Sequence, residues 1–223
     1  MNNLKLDAAM SACKLIKDGQ IVGLGTGSTV SYVLQEIGNR IKENELRIQG
    51  IPTSKATQEL AQKMNIPLTT LEEHYDVDIA IDGADQVSSS LDLIKGGGGA
   101  HTREKIVAKQ ARKFVIIVDD GKLSEKLNIP VPIEILPFSR KVTSEILSTM
   151  SIKHSLRGLE TNPLITDNGN YILDVDFGEI KVPGDLESKI NSVIGVVENG
   201  IFSKMADEVH VASAKGINIL KKG

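Results

Sequence analysis

Hydrophobic and polar positions follow two different periodicities in the first half of the chain. Short apolar or β-branched runs predict strands at residues 21–24, 46–51, 77–81 and 114–118. Apolar residues at helical spacing predict helices over residues 28–42, 54–64 and 100–112. Ser54 is the expected N-cap of the second helix. Strands that alternate with helices in this way indicate an open, mainly parallel, Rossmann-like α/β sheet.

A different order of elements follows a cluster of prolines at residues 130, 132 and 137. The pattern there predicts a strand, a helix, two strands, a helix and a strand, at residues 131–136, 139–150, 152–157, 171–175, 184–193 and 196–198. This β-α-β-β-α-β order is typical of small ferredoxin-like α+β modules. Strand patterns at 208–212 and 217–220 are expected to return to the first sheet. We therefore predict a catalytic domain of residues 1–129 plus 205–223 and a smaller domain of residues 130–204.

Composition and charge argue against two classes of partner, nucleic acids and membranes. The 223 residues include 26 Lys and Arg against 29 Asp and Glu, and only 3% are aromatic, which argues against a nucleic-acid partner. No apolar run approaches a membrane span, and residues 1–19 read as an amphipathic helix rather than a signal peptide. The single cysteine, Cys13, is expected to be buried. We expect a cytoplasmic protein with no membrane partner.

The first segment whose residues are suited to binding or catalysis is 23–29, GLGTGST, which lies between a predicted strand and a predicted helix. Glycines allow close approach of a ligand to the backbone, and the N-terminus of the following helix favours an anion. With the hydroxyls of Thr26, Ser28 and Thr29, the segment predicts a phosphate cradle. The alternative is a tight turn with a capped helix. A dinucleotide fingerprint would need glycine at Ser28, so a nicotinamide-dependent oxidoreductase is disfavoured.

Two further segments carry charged groups. The acidic turn Asp82-Gly83-Ala84-Asp85 follows a predicted strand, and ligands of open parallel sheets sit beyond such strand ends. An Asx turn with a helix cap is the alternative. The run Lys95-Gly96-Gly97-Gly98-Gly99 suggests backbone amides that converge on an anion. Glu104 follows about one turn into the next helix, where a solvated carboxylate would also be favourable.

Together the three segments suit proton transfer next to a carbonyl group. They offer a phosphate cradle, carboxylates for acid–base work, and Lys95 with backbone amides for an oxyanion. His101 reads equally well as a surface or packing residue or as a ligand. The four histidines show no metal-ligand spacing, so no metal site is assigned.

In this order, the motifs GLGTGSTV, DGADQV and KGGGGAHTREKIVA resemble the type A ribose-5-phosphate isomerase family. The stretches VPIEILPF, TDNGNYILDV and GVVENGIF extend the resemblance over nearly the whole chain. The resemblance implies reversible isomerisation of D-ribose 5-phosphate and D-ribulose 5-phosphate through a cis-enediolate. It also implies no cofactor, no metal, and a homo-oligomer, dimer or tetramer, whose small domain borders the active site.

Matching motif positions assign roles to individual residues. Glu104 matches the catalytic base, Asp82 and Asp85 match residues that hold sugar hydroxyls and relay protons, and Lys95 matches the lysine beside the reacting oxygens. The resemblance also implies a set of substrate-binding residues: Lys5, Thr26, Gly27, Ser28, Thr29, Asp82, Gly83, Ala84, Asp85, Lys95, Gly96, Gly97, Gly98 and Lys122.

The chain departs from the family pattern at two places. His101 stands where an aliphatic residue is expected, and Val193-Ile194-Gly195 replaces Ile-Pro-Gly. Both concern local packing rather than the reaction. A non-catalytic sugar-phosphate sensor of related fold is the alternative function, and the complete set of carboxylates and Lys95 disfavours it.

Overall fold

The computed structural model describes residues 3–222, which form two compact units. The first unit contains the chain up to Ala84, Arg103–Lys122, and the chain from Met205 onward. The second unit contains Asp85–Thr102 and Leu123–Lys204. No helix within residues 3–222 is long and apolar enough to cross a membrane.

A six-stranded sheet with helices forms the first unit. In chain order its elements are α1 (Leu4–Cys13), β1 (Ile21–Leu24), α2 (Val30–Lys42), β2 (Gln49–Pro52), α3 (Lys55–Lys63), β3 (Ile79–Asp82), α4 (His101–Gln110), β6 (Phe114–Asp119), β14 (Glu208–Ser213) and β15 (Gly216–Lys221). The first two residues of α4, His101 and Thr102, belong to the second unit. The strand order is β15-β14-β6-β3-β1-β2. Only the edge strand β15 is antiparallel to its neighbour. The mainly parallel sheet and the return of the C-terminal strands are therefore confirmed.

Sequence pattern explains why these elements form. Helix α2 buries Val30, Val33, Leu34 and Ile37 on one face, as the helical spacing predicts. Ser54 caps α3 by accepting a hydrogen bond from the backbone of Thr57. The helix predicted near the N-terminus is α1, which buries Cys13; Met1 and Asn2 lie outside the described residues. Burial raises the pKa of the Cys13 thiol to about 12, so this thiol stays protonated and inert.

The second unit is built on two antiparallel sheets and a hairpin. Its elements are β4 (Gln86–Val87), β5 (Leu93–Ile94), β7 (Val131–Ile135), α5 (Arg140–Ser148), β8 (Lys153–Leu156), β9 (Gly158–Leu159), β10 (Asn162–Pro163), β11 (Tyr171–Asp176), α6 (Pro183–Asn191), β12 (Val196–Asn199) and β13 (Ile201–Phe202). One sheet has the order β12-β7-β11-β8, and the other has the order β13-β5-β4. The first order, with helices α5 and α6, is the ferredoxin-like arrangement that the sequence predicts.

Two features of the second unit lie outside the sequence prediction. Strands of only two residues, β4, β5 and β13, form the three-stranded sheet and carry too short a pattern to be recognised. The pairing of β5 with β4 and β13 places residues 85–102 with the second unit. The predicted boundary near residue 130 stays a prediction, and the compact units divide the chain differently at residues 85–102 and 123–129.

Candidate active site

Three neighbouring parallel strands of the first unit end in candidate site residues. The loop 25–29 follows β1, Asp82 ends β3, and Lys122 follows β6 in a short 3₁₀ helix, Asp120–Lys122. Strands β1, β3 and β6 are adjacent in the sheet and parallel. Their carboxyl ends therefore share one edge, where open α/β sheets bind ligands.

The β1–α2 loop (residues 25–29) exposes Gly27 and Ser28 to solvent. Gly27 has φ +117°, which an L-residue with a side chain rarely adopts. The Oγ atom of Ser28 accepts a hydrogen bond of 2.9 Å from Nζ of Lys5. The structure therefore brings the ammonium group of Lys5 to the loop and to the N-terminus of α2, an arrangement suited to an anion.

Thr26 is fixed by hydroxyl groups of the protein itself. Its Oγ1 donates to Ser54 at 2.9 Å and lies 2.8 Å from Oγ1 of Thr53 and 3.2 Å from Oγ1 of Thr57. Thr57 in turn donates to the backbone oxygen of Gly25 at 2.8 Å. This hydroxyl cluster (Thr26, Thr53, Ser54 and Thr57) ties the β1–α2 loop to the start of α3. The sequence reasoning placed Ser54 only as a helix cap and gave Thr53 and Thr57 no role.

Asp82 supports the same loop from the end of β3. The side chain is buried, and Oδ1 accepts the backbone N–H of Thr26 at 3.1 Å and of Gly83 at 2.8 Å. A Cβ atom at Gly25 would lie 2.3 Å from Cγ of Asp82, so glycine is required for this close approach. The carboxylate is thus held in a defined place beside the loop.

Glu104 is a buried carboxylate in the first turn of α4. Three residues further on, Cγ1 of Val107 would lie 2.6 Å from a Cβ atom at Gly23, so α4 packs closely on β1. Residues three apart share one face of a helix. Glu104 therefore lies on the face of α4 that packs against β1, one turn nearer to the helix N-terminus than Val107.

Asp85 and the glycine loop (residues 95–99) belong to the second unit. Oδ2 of Asp85 accepts the backbone N–H of Gly97 at 2.7 Å. The N–H of Gly99 donates to the backbone oxygen of Gly96 at 2.9 Å. Both amides are thus engaged within this part of the chain. The glycines at 96 and 99 have positive φ, +107° and +75°, which explains two of the consecutive glycines.

Lys95 is a buried cation at the start of the glycine loop. Its Nζ lies 5.4 Å from the centroid of the Phe202 ring, which is within the range of a cation–π contact. Its backbone N–H donates to the oxygen of Gly200 at 2.9 Å. A Cβ atom at Gly200 would lie 2.2 Å from the backbone oxygen of Lys95. Strand β13 and its preceding glycine therefore position the lysine.

Arg157 holds the glycine loop from the ferredoxin-like sheet. Its Nη1 donates to the backbone oxygens of Gly96 at 2.7 Å and Gly97 at 3.2 Å. The guanidinium also pairs with both carboxylate oxygens of Asp174 on β11. The sequence reasoning missed Arg157, since an arginine between two short strands carries no motif.

His101 is completely buried in the second unit. A Cβ atom at Gly96 would lie 2.8 Å from its Nδ1, and its Nε2 lies 3.3 Å from the backbone oxygen of Glu198. His101 is thus a packing residue under the glycine loop. Among residues 3–222, no group of three His, Cys, Asp or Glu side chains is arranged to hold a metal ion.

Close sequence relatives and close structural neighbours of this chain belong to one family. The sequence profile described as ribose 5-phosphate isomerase A (phosphoriboisomerase A) matches residues 49–216. Ribose-5-phosphate isomerase A of Methanocaldococcus jannaschii is 51% identical over 225 residues, covering 99% of this chain and 98% of the relative. The Methanothermobacter thermautotrophicus protein of that name is 47% identical over 222 residues, with 98% of both chains covered.

Solved structures agree with the sequence relatives. Ribose 5-phosphate isomerase A from Methanocaldococcus jannaschii matches with a TM-score of 0.93 and 49% identity over 99% of both chains. A D-ribose-5-phosphate isomerase in complex with phospho-erythronic acid matches with a TM-score of 0.95 and 41% identity, over 99% of this chain and 100% of that chain. Fold, site and relatives define the chain as an isomerase of the α/β class. More closely, it belongs to the ribose 5-phosphate isomerase A family.

Proposed function

We propose that this chain interconverts D-ribose 5-phosphate and D-ribulose 5-phosphate through a cis-enediolate. The observation that carries the proposal is the buried carboxylate of Glu104 on the sheet-facing side of α4, in a chain of this isomerase family. The phospho-erythronic acid bound by one relative also supports it. That compound joins a phosphate to a planar, negatively charged carboxylate, which has the shape and charge of an enediolate.

The β1–α2 loop is the proposed phosphate site. Gly27, Ser28 and Thr29 precede α2, whose N-terminal amides and dipole attract an anion. Lys5, already beside Ser28, and Lys122, which follows β6 at the same edge of the sheet, supply positive charge. Thr26 is held by the hydroxyl cluster and by Asp82, so we propose that it supports the loop rather than binding phosphate through its hydroxyl.

Proton transfer is the central step. Glu104 removes the C2 proton of the open-chain aldose, the electron pair moves into a C1–C2 double bond, and O1 becomes an oxyanion. The same carboxyl then returns the proton to C1 to give the ketose. Glu104 is suited to this role because its carboxylate is buried in the first turn of α4, where it can act as a general base on a bound substrate.

Lys95 is the proposed partner of the oxyanion, together with the amides of Gly96 and Gly98. A well-placed donor of this kind contributes about 3 kcal/mol to transition-state stabilisation. Asp82 is the proposed relay for the hydroxyl proton between O1 and O2. We propose that Asp85 holds a sugar hydroxyl and that its bond to Gly97 also shapes the glycine loop. Gly83, Ala84 and Gly97 complete the proposed substrate contacts.

The same proposal includes a homo-oligomer, dimer or tetramer, in the cytoplasm, acting without cofactor or metal. Molecular mass in solution, by light scattering, tests the assembly. Activity on the two pentose phosphates in EDTA with nothing added tests the chemistry. Ribose 5-phosphate, allose 6-phosphate and unphosphorylated ribose compared in one assay define the substrate range.

Glu104→Gln is the decisive variant. The amide keeps the volume but removes the base, so we expect kcat to fall by about 10²- to 10⁴-fold with little change in substrate binding. Glu59→Gln, an exposed carboxylate on α3, is the matched control and should keep wild-type kcat. Near-normal turnover by the Glu104→Gln enzyme would refute the assignment.

A further inference from the structure

The second unit contains a fully buried carboxylate to which the sequence reasoning gave no role. Glu134, on β7, has no exposed surface. Its oxygens accept hydrogen bonds from Thr166 at 2.8 Å, Asn170 at 2.8 Å and Asn168 at 3.1 Å, and also from the hydroxyl of Thr102. Five residues, Glu134 with these four donors, form what we call the Glu134 cluster.

Glu134 is held as an anion. Burial alone would raise the pKa of its carboxyl, but the hydrogen bonds from Thr102, Asn170, Thr166 and Asn168 together lower that pKa below its ordinary value. A buried carboxylate with this many donors is stabilised in one position and one orientation. Its partners are therefore also fixed.

The four donors come from two different parts of the chain. Thr166, Asn168 and Asn170 lie in the turn before β11. Thr102, in contrast, lies in the first turn of α4, between the glycine loop and Glu104. The bond from Thr102 to Glu134 therefore fixes the helical turn on which Glu104 is carried, since Thr102 and Glu104 are two residues apart in one helix.

We propose that Glu134 is a positioning residue for the isomerase reaction, acting through the hydroxyl of Thr102 on the turn of α4 that carries Glu104. This inference rests on the proposed function. A general base must hold its carboxylate within hydrogen-bonding distance of the substrate proton, and a displacement of about 1 Å can cost about 100-fold in rate. Glu134 itself does not contact the substrate.

The chain offers a matched pair of variants for the test. Thr102 and Thr166 are both buried, 8% and 7% exposed, and each donates its hydroxyl to Glu134. Valine has nearly the shape of threonine, so Thr102→Val and Thr166→Val each remove one donor from the same carboxylate. Thr166 also accepts the backbone N–H groups of Asn168 and Asn170. If the cluster served stability alone, Thr166→Val would be the more harmful change.

For catalysis we expect Thr102→Val, not Thr166→Val, to be the more harmful change. In Thr102→Val, kcat with ribose 5-phosphate should fall about tenfold or more while KM changes by less than about twofold, because the base is misplaced and phosphate binding is not. Thr166→Val should keep kcat within about twofold of wild type even where its Tm falls further. Thr102→Ser, which retains the hydroxyl, should restore kcat. Glu134→Gln should lower kcat at least as much as Thr102→Val, provided that it folds.

Equal losses of kcat in Thr102→Val and Thr166→Val, losses that follow Tm, or wild-type kcat in Thr102→Val would each overturn the inference. The proposed function fails differently, by near-normal turnover in Glu104→Gln or by a wild-type protein inactive on both pentose phosphates. Thr102→Val therefore tests the positioning role separately from the reaction.

Discussion

The β1–α2 loop and the glycine loop are both assigned to oxygen-rich parts of one substrate, yet they are fixed by different forces. The β1–α2 loop is held mainly by neutral hydroxyls, together with the carboxylate of Asp82 at a strand end and the ammonium group of Lys5. Charged side chains, Arg157 and Asp85, hold the glycine loop. Arg157 lies 61 residues beyond Gly96 in the chain. The comparison shows that the ferredoxin-like sheet, through Arg157, fixes the geometry of the glycine loop, for which we propose a catalytic role.

Gly25→Ala should have the largest effect, because it disturbs the β1–α2 loop and Asp82 together. The added Cβ would lie 2.3 Å from Cγ of Asp82 and 2.6 Å from the backbone oxygen of Ile81. The carboxylate must move and would lose its bond to the backbone of Thr26. We expect kcat/KM to fall by at least about 100-fold and stability to fall by about 1–3 kcal/mol, measured by steady-state kinetics and denaturant unfolding.

Gly19→Ala is the control for backbone conformation. Gly19 has φ +81° and no atom within 4 Å of the added Cβ, so the variant carries strain without a clash. It should lose about 1–2 kcal/mol and keep wild-type kcat/KM. If Gly25→Ala resembles it in both measurements, the close approach of the loop to Asp82 has no functional importance.

Arg157→Met should have the next largest effect, on the glycine loop. The variant keeps much of the side-chain volume but removes the donors to Gly96 and Gly97 and the partner of Asp174. We expect kcat/KM to fall by about tenfold, since the loop that carries Lys95 becomes less well ordered. Arg157→Lys should restore little of this activity. An ammonium group lacks the planar arrangement of donors with which a guanidinium hydrogen-bonds to the Asp174 carboxylate and to the loop carbonyl groups at the same time.

Arg140→Met provides the matched surface change in the same unit. Arg140 pairs with Glu160, whose side chain is 70% exposed, and such pairs contribute about 0–1 kcal/mol to stability. Activity should therefore stay at the wild-type level. Equal activity losses in Arg140→Met and Arg157→Met would mean that any charge lost from the module is harmful and that the glycine loop is not specifically held.

The sequence predicts the β1–α2 loop better than it predicts the contacts that hold the glycine loop. The β1–α2 loop and Asp82 stand in motifs next to strongly periodic strands, so their location at the carboxyl ends of parallel strands could be predicted. Glu104 could be placed near the start of a helix in the same way. The Glu134 cluster and Arg157 could not be located in this way. Their partners are backbone groups or side chains far along the chain, and the two-residue strands that bring residues 85–102 into the second unit have no readable period.

Thr26→Val should have the smallest effect and separates support from substrate contact within the β1–α2 loop. The variant loses the hydroxyl bonds to Thr53, Ser54 and Thr57 but keeps the backbone bond to Asp82. A net hydrogen bond contributes about 1 kcal/mol, so thermal unfolding should show a loss of that order. Because the backbone of the loop still presents Ser28 and Thr29, KM for ribose 5-phosphate should change by less than about threefold. Thr26→Ser should restore stability. A KM raised tenfold or more with unchanged stability would instead indicate that the Thr26 hydroxyl binds the phosphate. The β1–α2 loop would then use its side chains for substrate binding, and not only its backbone.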